Sequence, residues 1–359
     1  MRTGSGASGF RPNRGATERN HSFPFYRIPR EIVRDSRSTS WECRASRGDP
    51  VTSPSVATRP SAGATGPRIS RFLSVTAWIS FVLNATIIAT GGAVRLTGSG
   101  LGCSEWPSCV PGSLTPTPEM GIHGLIEFGN RTISGPLLLA AIIVVVLSFR
   151  IRRERRDLFV ISAVVLGLVA LQAIVGGIVV WERLHAALVG FHYTVSLILV
   201  CITAAYLVRM REPGGPRERA VPKGYAILTH VTTLFVAIVV LMGVLTTANG
   251  PHSGDESVVR DGFDATLLSH LHAWPGYITL ALVIALASWS AAKRLRTLRS
   301  GVLVLAMLLV QIAVGIYQAN AGLPPFAVGV HMVLAALTAA AMTMNVLRLK
   351  RPVAEVSLP

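Results

Sequence analysis

The sequence predicts an all-α integral membrane protein: eight transmembrane helices, arranged as two tandem four-helix bundles related by internal duplication. Three observations carry that prediction. Half of the 359 residues are apolar and only 14% are charged, a balance foreign to ordinary soluble domains. Eight apolar runs each reach the length of about 20 residues that crosses a bilayer. Two stretches also read almost alike: Leu171-Gln172-Ala173-Ile174-Val175-Gly176 leading to His192, and Val310-Gln311-Ile312-Ala313-Val314-Gly315 leading to His331, with Gln and His 20 residues apart in both.

Residues 1–71 precede the first run and are of another character, rich in Arg, Ser, Gly and Pro without helical or strand periodicity. They read as a disordered basic cytoplasmic tail, as a regulatory or partner-binding arm, or as a start assigned too far upstream. No Met lies between Met1 and Met120, so a later start would need a non-ATG codon. A mitochondrial targeting segment would be Arg- and Ser-rich but poor in acids, and Glu18, Glu31, Asp35, Glu42 and Asp49 spoil that signature.

The apolar runs follow at 72–94, 122–149, 158–180, 185–208, 225–247, 266–292, 301–320 and 325–347. Four spans return the chain to its starting side, so the two halves, 72–208 and 225–348, lie parallel about a linker at 209–224. The ends of helices 1 and 5 resemble each other loosely, Gly92-Ala93-Val94-Arg95-Leu96-Thr97-Gly98 beside Gly243-Val244-Leu245-Thr246-Thr247-Ala248-Asn249-Gly250. Bases gather at one set of ends: Arg68 and Arg71, Arg150 to Arg156, Arg209 to Lys223, Lys293 to Arg299, and Arg348 to Arg351 in the closing segment 349–359. The opposite loops carry Glu105, Glu119, Asp255, Glu256, Asp261 and Asp264. The positive-inside rule then puts both termini in the cytoplasm. It also accounts for most of the net charge of +16, which therefore is no argument for nucleic acid as a partner.

Ionisable groups within the spans cluster toward the outer third. His192 and His331 lie six or seven residues, ~9 to 10 Å, below the outer ends of helices 4 and 8. His270 and His272 enter from the same side on helix 6, and His123, Glu127, Asn130 and Arg131 on helix 2; His230 alone stands apart, near the inner end of helix 5. Polar groups at such depth cost a few kcal/mol and usually serve a site. Two imidazoles on facing helices can hold a heme between them, and His272 with His331 fits this for the second half. In the first half His192 meets Asn130, a poor ligand, where a second histidine is expected. His123 and His185 could bind iron, line a propionate, or anchor the interface.

Four further stretches stand out: Gly91-Gly92-Ala93-Val94-Arg95-Leu96-Thr97-Gly98-Ser99-Gly100-Leu101-Gly102-Cys103 with Trp106-Pro107 and Cys109, Ile126-Glu127-Phe128-Gly129-Asn130-Arg131, Gly250-Pro251-His252-Ser253-Gly254-Asp255, and the segment of His331. Together these motifs resemble the heme A synthase family. The likeness covers about residues 70–348. The resemblance implies oxidation of a methyl group of heme O to the formyl group of heme A, for a cytochrome oxidase. It implies a heme b in the C-terminal half on His272 and His331, a substrate heme in the N-terminal half on His192, and Glu127 beside the reacting methyl. In place of the commoner Glu-x-x-His-Arg this chain has Asn130, so either His123 takes over as ligand or His192 holds the heme alone.

Beside this stands the chemistry of the residues themselves. Glu127 could form an internal ion pair with Arg131 or accept a proton during methyl oxidation; Arg131 could also neutralise a propionate. Cys103 and Cys109, close together in an outer loop, are expected to form a disulfide, as a staple or, following the resemblance, as a redox pair. His252 could cap the pocket or bind propionates, or be a solvated loop residue. Cys201 is expected in packing. The partners expected are a heme O synthase, the cytochrome oxidase assembly machinery, membrane lipid and an unidentified electron donor or acceptor, with a homo-oligomer left open. A bacterial plasma membrane is favoured over a mitochondrial inner membrane. The alternative function is a non-catalytic diheme electron carrier or heme-handling protein, which needs neither Glu127 nor the cysteine pair.

Overall fold

The expected helices form where the apolar runs lie. The computed structural model describes residues 69–252, 254, 255, 257, 258 and 264–353; the readings of residues 1–68, and Ser253, Glu256 and Asp261, lie outside the described residues. Among the described residues are α1 Arg71–Leu96, α2 Gly121–Arg150, α3 Arg156–Trp181, α4 Ala186–Met210, α5 Lys223–Ala248, α6 Ala265–Ala292, α7 Leu298–Asn320 and α8 Pro325–Leu347. All eight are long and apolar enough to span a membrane. The chain is thus an all-α, multi-pass membrane protein.

Polar residues set the helix ends. Ser70 caps α1 by accepting the Leu73 N–H at 3.1 Å, satisfying a donor that the first turn leaves unpaired. Asp264 caps α6 through the N–H groups of Thr266 and Leu267, and those donors hold its carboxyl below the usual carboxylate range.

Consecutive helices pack in pairs, and the two halves meet where α4 lies on α8 with α1 against both. One core crosses that seam, including Ile88 of α1, Val200 and Ala204 of α4 and Ala336 and Ala340 of α8. The alanines let backbones approach closely where lipid gives helices no hydrophobic reason to associate. The helices carrying His192 and His331 are therefore neighbours.

Two short strands, β1 Arg217–Arg219 and β2 Lys350–Pro352, pair antiparallel and tie the linker to the segment after α8. Sequence reading placed only basic connections there. Glu212 sits among these bases, accepting from Arg296 at 2.8 Å and also from Arg217. Arg155 is buried nearby and donates to Asp157 and to the Arg209 carbonyl.

Candidate functional site

The loops α1–α2, α3–α4, α5–α6 and α7–α8 touch one another at the end of the bundle opposite these bases. Gly100 donates its N–H to the Gly254 carbonyl at 2.7 Å. A Cβ on Gly100 would also strike Leu184 of the α3–α4 loop. Beneath these loops a cleft runs between the two halves. Asn130, His192, His272, His331 and Met332 all line it.

His272 and His331 face each other with ring centroids 6.1 Å apart and planes at 75°. Each ring lies against a glycine of the preceding helix. A Cβ on Gly243 would come within 2.9 Å of His272 Cε1, and one on Gly315 within 3.1 Å of His331 Cε1. His272 Nδ1 is 2.9 Å from the Val239 carbonyl, a bond that fixes the tautomer and leaves Nε2 as the free ligand atom. Two imidazole nitrogens each about 2 Å from one metal put the ring centres roughly 6 Å apart, so the observed separation fits a shared metal. Among the described residues no group of three or more His, Cys, Asp or Glu could hold a bare ion. The donor set therefore suits a metal whose other ligands arrive with it, as in a heme.

The N-terminal half shares part of this construction. Gln172 donates to the His192 carbonyl at 2.7 Å as Gln311 does to that of His331 at 3.1 Å. Gly176 lies against the His192 ring as Gly315 does against His331. Opposite, the part played by Gly243 and His272 falls to Gly91 and Asn130: a Cβ on Gly91 would sit 3.8 Å from Asn130 Oδ1. The amide is held by Thr90, 2.7 Å from that oxygen.

Glu127 and Arg131 form the internal pair that their i,i+4 spacing allows, and together they hold the first outer loop. Glu127 is buried and accepts the Cys103 N–H at 2.7 Å and the Arg131 Nε at 3.1 Å. Arg131 donates onward to the carbonyls of Glu105 at 2.8 Å and Ser108 at 3.0 Å. Cys103 and Cys109 are joined as a disulfide within that loop. A Cβ on Gly102 would meet the His123 backbone, so this glycine lets the loop come close enough for Cys103 to reach Glu127.

The remaining histidines are placed elsewhere. His123 Nδ1 is 2.9 Å from Ser99 Oγ, and His252 Nε2 is 3.1 Å from the Leu323 carbonyl; neither lines the cleft, and both tie outer loops together. His185, His230 and His270 are exposed. Cys201 is half-buried in α4, against the seam. Sequence reading missed Thr90, Met332 and the glycine seats. The seats at 176 and 315 could have been found, since each lies four residues after the repeated Gln. Arg95, noted only within its motif, donates to the carbonyls of His252 and Thr247 and so joins the two halves over the cleft.

Comparison with known proteins gives a consistent picture. The family model COX15-CtaA, described as "Cytochrome oxidase assembly protein", matches residues 74–343. Among curated proteins, the chain is similar to the heme A synthase of Exiguobacterium sibiricum, at 28% identity over 179 residues, 49% of this chain and 59% of that one. It is similar to that of Staphylococcus saprophyticus at 27% over 175 residues, 47% and 57% of the two chains. A second Exiguobacterium heme A synthase is 30% identical over 137 residues, 38% and 44% of the two. The matched part spans about half the length of these curated relatives.

Proposed function

This chain belongs to the COX15-CtaA family of cytochrome oxidase assembly proteins, and on that premise we propose that it is a heme A synthase, oxidising a methyl group of heme O to the formyl group of heme A. The observation that carries the proposal is the facing pair His272 and His331, 6.1 Å apart, on a cleft shared with His192. His272 and His331 would hold a heme b, which when bound supplies reversible one-electron chemistry. His192 would hold the substrate heme in the N-terminal half.

The chain's own residues do the rest. Gly243 and Gly315 seat the two imidazoles against neighbouring helices, and the Val239 carbonyl orients one of them. Arg95, by bridging α1 to the α5 end, keeps the halves in register above the cleft. Glu127 lies three residues before Asn130 on α2, a spacing that puts both on one helix face; there it accepts the proton released as the methyl is oxidised. The same carboxylate anchors the disulfide loop, which covers this end of the bundle. Tyr193, whose hydroxyl donates to the Met332 carbonyl at 3.0 Å, fills the seam between the two sites. Conversion of the methyl to the formyl group takes one oxygen atom from water and releases four protons and four electrons; a heme held by His272 and His331 would pass those electrons singly to an acceptor outside the chain.

A heme O synthase supplies the substrate, and the oxidase assembly machinery takes the product. The arginine-rich ends face the cytoplasm of a bacterial plasma membrane, with the cleft at the outer side, as the positive-inside rule directs. Complementation tests the reading: in a bacterium whose own heme A synthase is deleted, this chain should restore the heme A absorption of its cytochrome oxidase. Membranes that contain the protein but lack that absorption would overturn it.

A further inference from the structure

We propose that the N-terminal site leaves one axial position of its heme open, and that Asn130 donates a hydrogen bond to a water-sized or diatomic ligand bound there. This rests on the reading of that site as the seat of the substrate heme on His192. The first support is positional. The Gln172, Gly176 and His192 set matches Gln311, Gly315 and His331 in the glutamine-to-carbonyl bond and in the glycine against the ring, and Gly91 with Asn130 stands where Gly243 stands with His272. Asn130 therefore occupies the place of the opposing ligand and lines the same cleft. A side-chain amide is a poor ligand for heme iron, whose protein ligands are His, Cys, Met or Tyr.

The second support is the direction of the amide. Thr90 has one hydroxyl proton and three acceptors in reach: Asn130 Oδ1 at 2.7 Å, the Thr86 carbonyl at 3.2 Å and the Ile87 carbonyl at 3.4 Å. The shortest bond takes it, so the amide oxygen is occupied. What remains is the amide nitrogen with two N–H donors, and it has no acceptor among the described residues. A donor fixed beside an empty coordination position suits a small ligand whose outer atom accepts a hydrogen bond. His123, the other candidate for that position, is held by Ser99 at 2.9 Å.

The full-length protein, purified with both hemes, tests this by spin state and ligand binding. Two hemes per chain should be found, one low-spin and one high-spin in the ferric form, and the reduced protein should bind one carbon monoxide per two hemes. Asn130→His should turn the second heme low-spin and abolish carbon monoxide binding. Asn130→Leu should keep the high-spin signal and weaken binding of fluoride to the ferric form by about tenfold or more, the loss expected for a hydrogen bond to a charged ligand. Two low-spin hemes with no carbon monoxide binding in the unaltered protein would overturn the inference while leaving the substrate-heme reading intact. Unchanged fluoride affinity in Asn130→Leu would overturn the role of the amide. A chain that takes up a single heme under heme O supply would sink the substrate-heme reading itself.

Discussion

His331→Gly is expected to lose the low-spin heme of the C-terminal half, and added imidazole is expected to restore it. The ring faces His272 across 6.1 Å, a separation at which the two would share one metal, and removal of either nitrogen would then break that hold. Even substitutions one shell further from a metal lower affinity by 10- to 100-fold; loss of the ligand itself should exceed ~100-fold. The helix should survive, because α8 is held to α4 by Ala336, Ala340 and their neighbours rather than by the histidine. Optical spectra of the purified variant, with and without imidazole, give the answer. A low-spin spectrum that persists without imidazole would mean that another residue is the ligand.

Glu127→Ala is expected to abolish heme A formation while leaving the heme b spectrum in place. The carboxylate holds both the Cys103 N–H and Arg131, and Arg131 in turn holds Glu105 and Ser108. Breaking one side of a buried pair costs about 3–5 kcal/mol, here local to the first outer loop, whereas His272 and His331 sit on α6 and α8. Glu127→Gln separates the two roles of the residue. The amide oxygen still accepts the Cys103 N–H, so the loop should resist proteolysis much as before. Heme A formation should nevertheless fall, because an amide does not take up the proton. Full activity in Glu127→Gln would confine Glu127 to anchoring the loop.

The helices were legible because a membrane demands long apolar runs, and only the chain's own helices can satisfy the backbone in lipid. The Gln-to-His repeat likewise pointed to histidines at equivalent places in helices 4 and 8, and the i,i+4 spacing of Glu127 and Arg131 to their pairing, whereas the contact of α4 with α8 came only with the structure. What the sequence could not show were partners far along the chain with no period of their own. Thr90 meets Asn130 from 40 residues away, and the Cys103 N–H meets Glu127 from 24. His123 was open to several readings from its depth alone, and a backbone approach at Gly102 with the bond to Ser99 settled where it lies. The three-residue strands β1 and β2 are too short to carry a period-2 pattern. The seats at Gly243 and Gly91 became visible only once the opposing side chain was placed against each.

The inequality of the two halves is where the proposed chemistry resides. The half that keeps both histidines is suited to hold its heme, and the half with Asn130 is suited to release a product. A diheme carrier of electrons would gain nothing from a buried Glu127 clamped to a disulfide loop. The most direct measurement is therefore of the product. The chain is expressed together with a heme O synthase in a host that makes no heme A, and the extracted hemes are separated. A heme A synthase yields heme A, with its hydroxylated precursor, beside heme b. A folded, heme b-containing protein that leaves only heme O and heme b in the extract would contradict the enzymatic function.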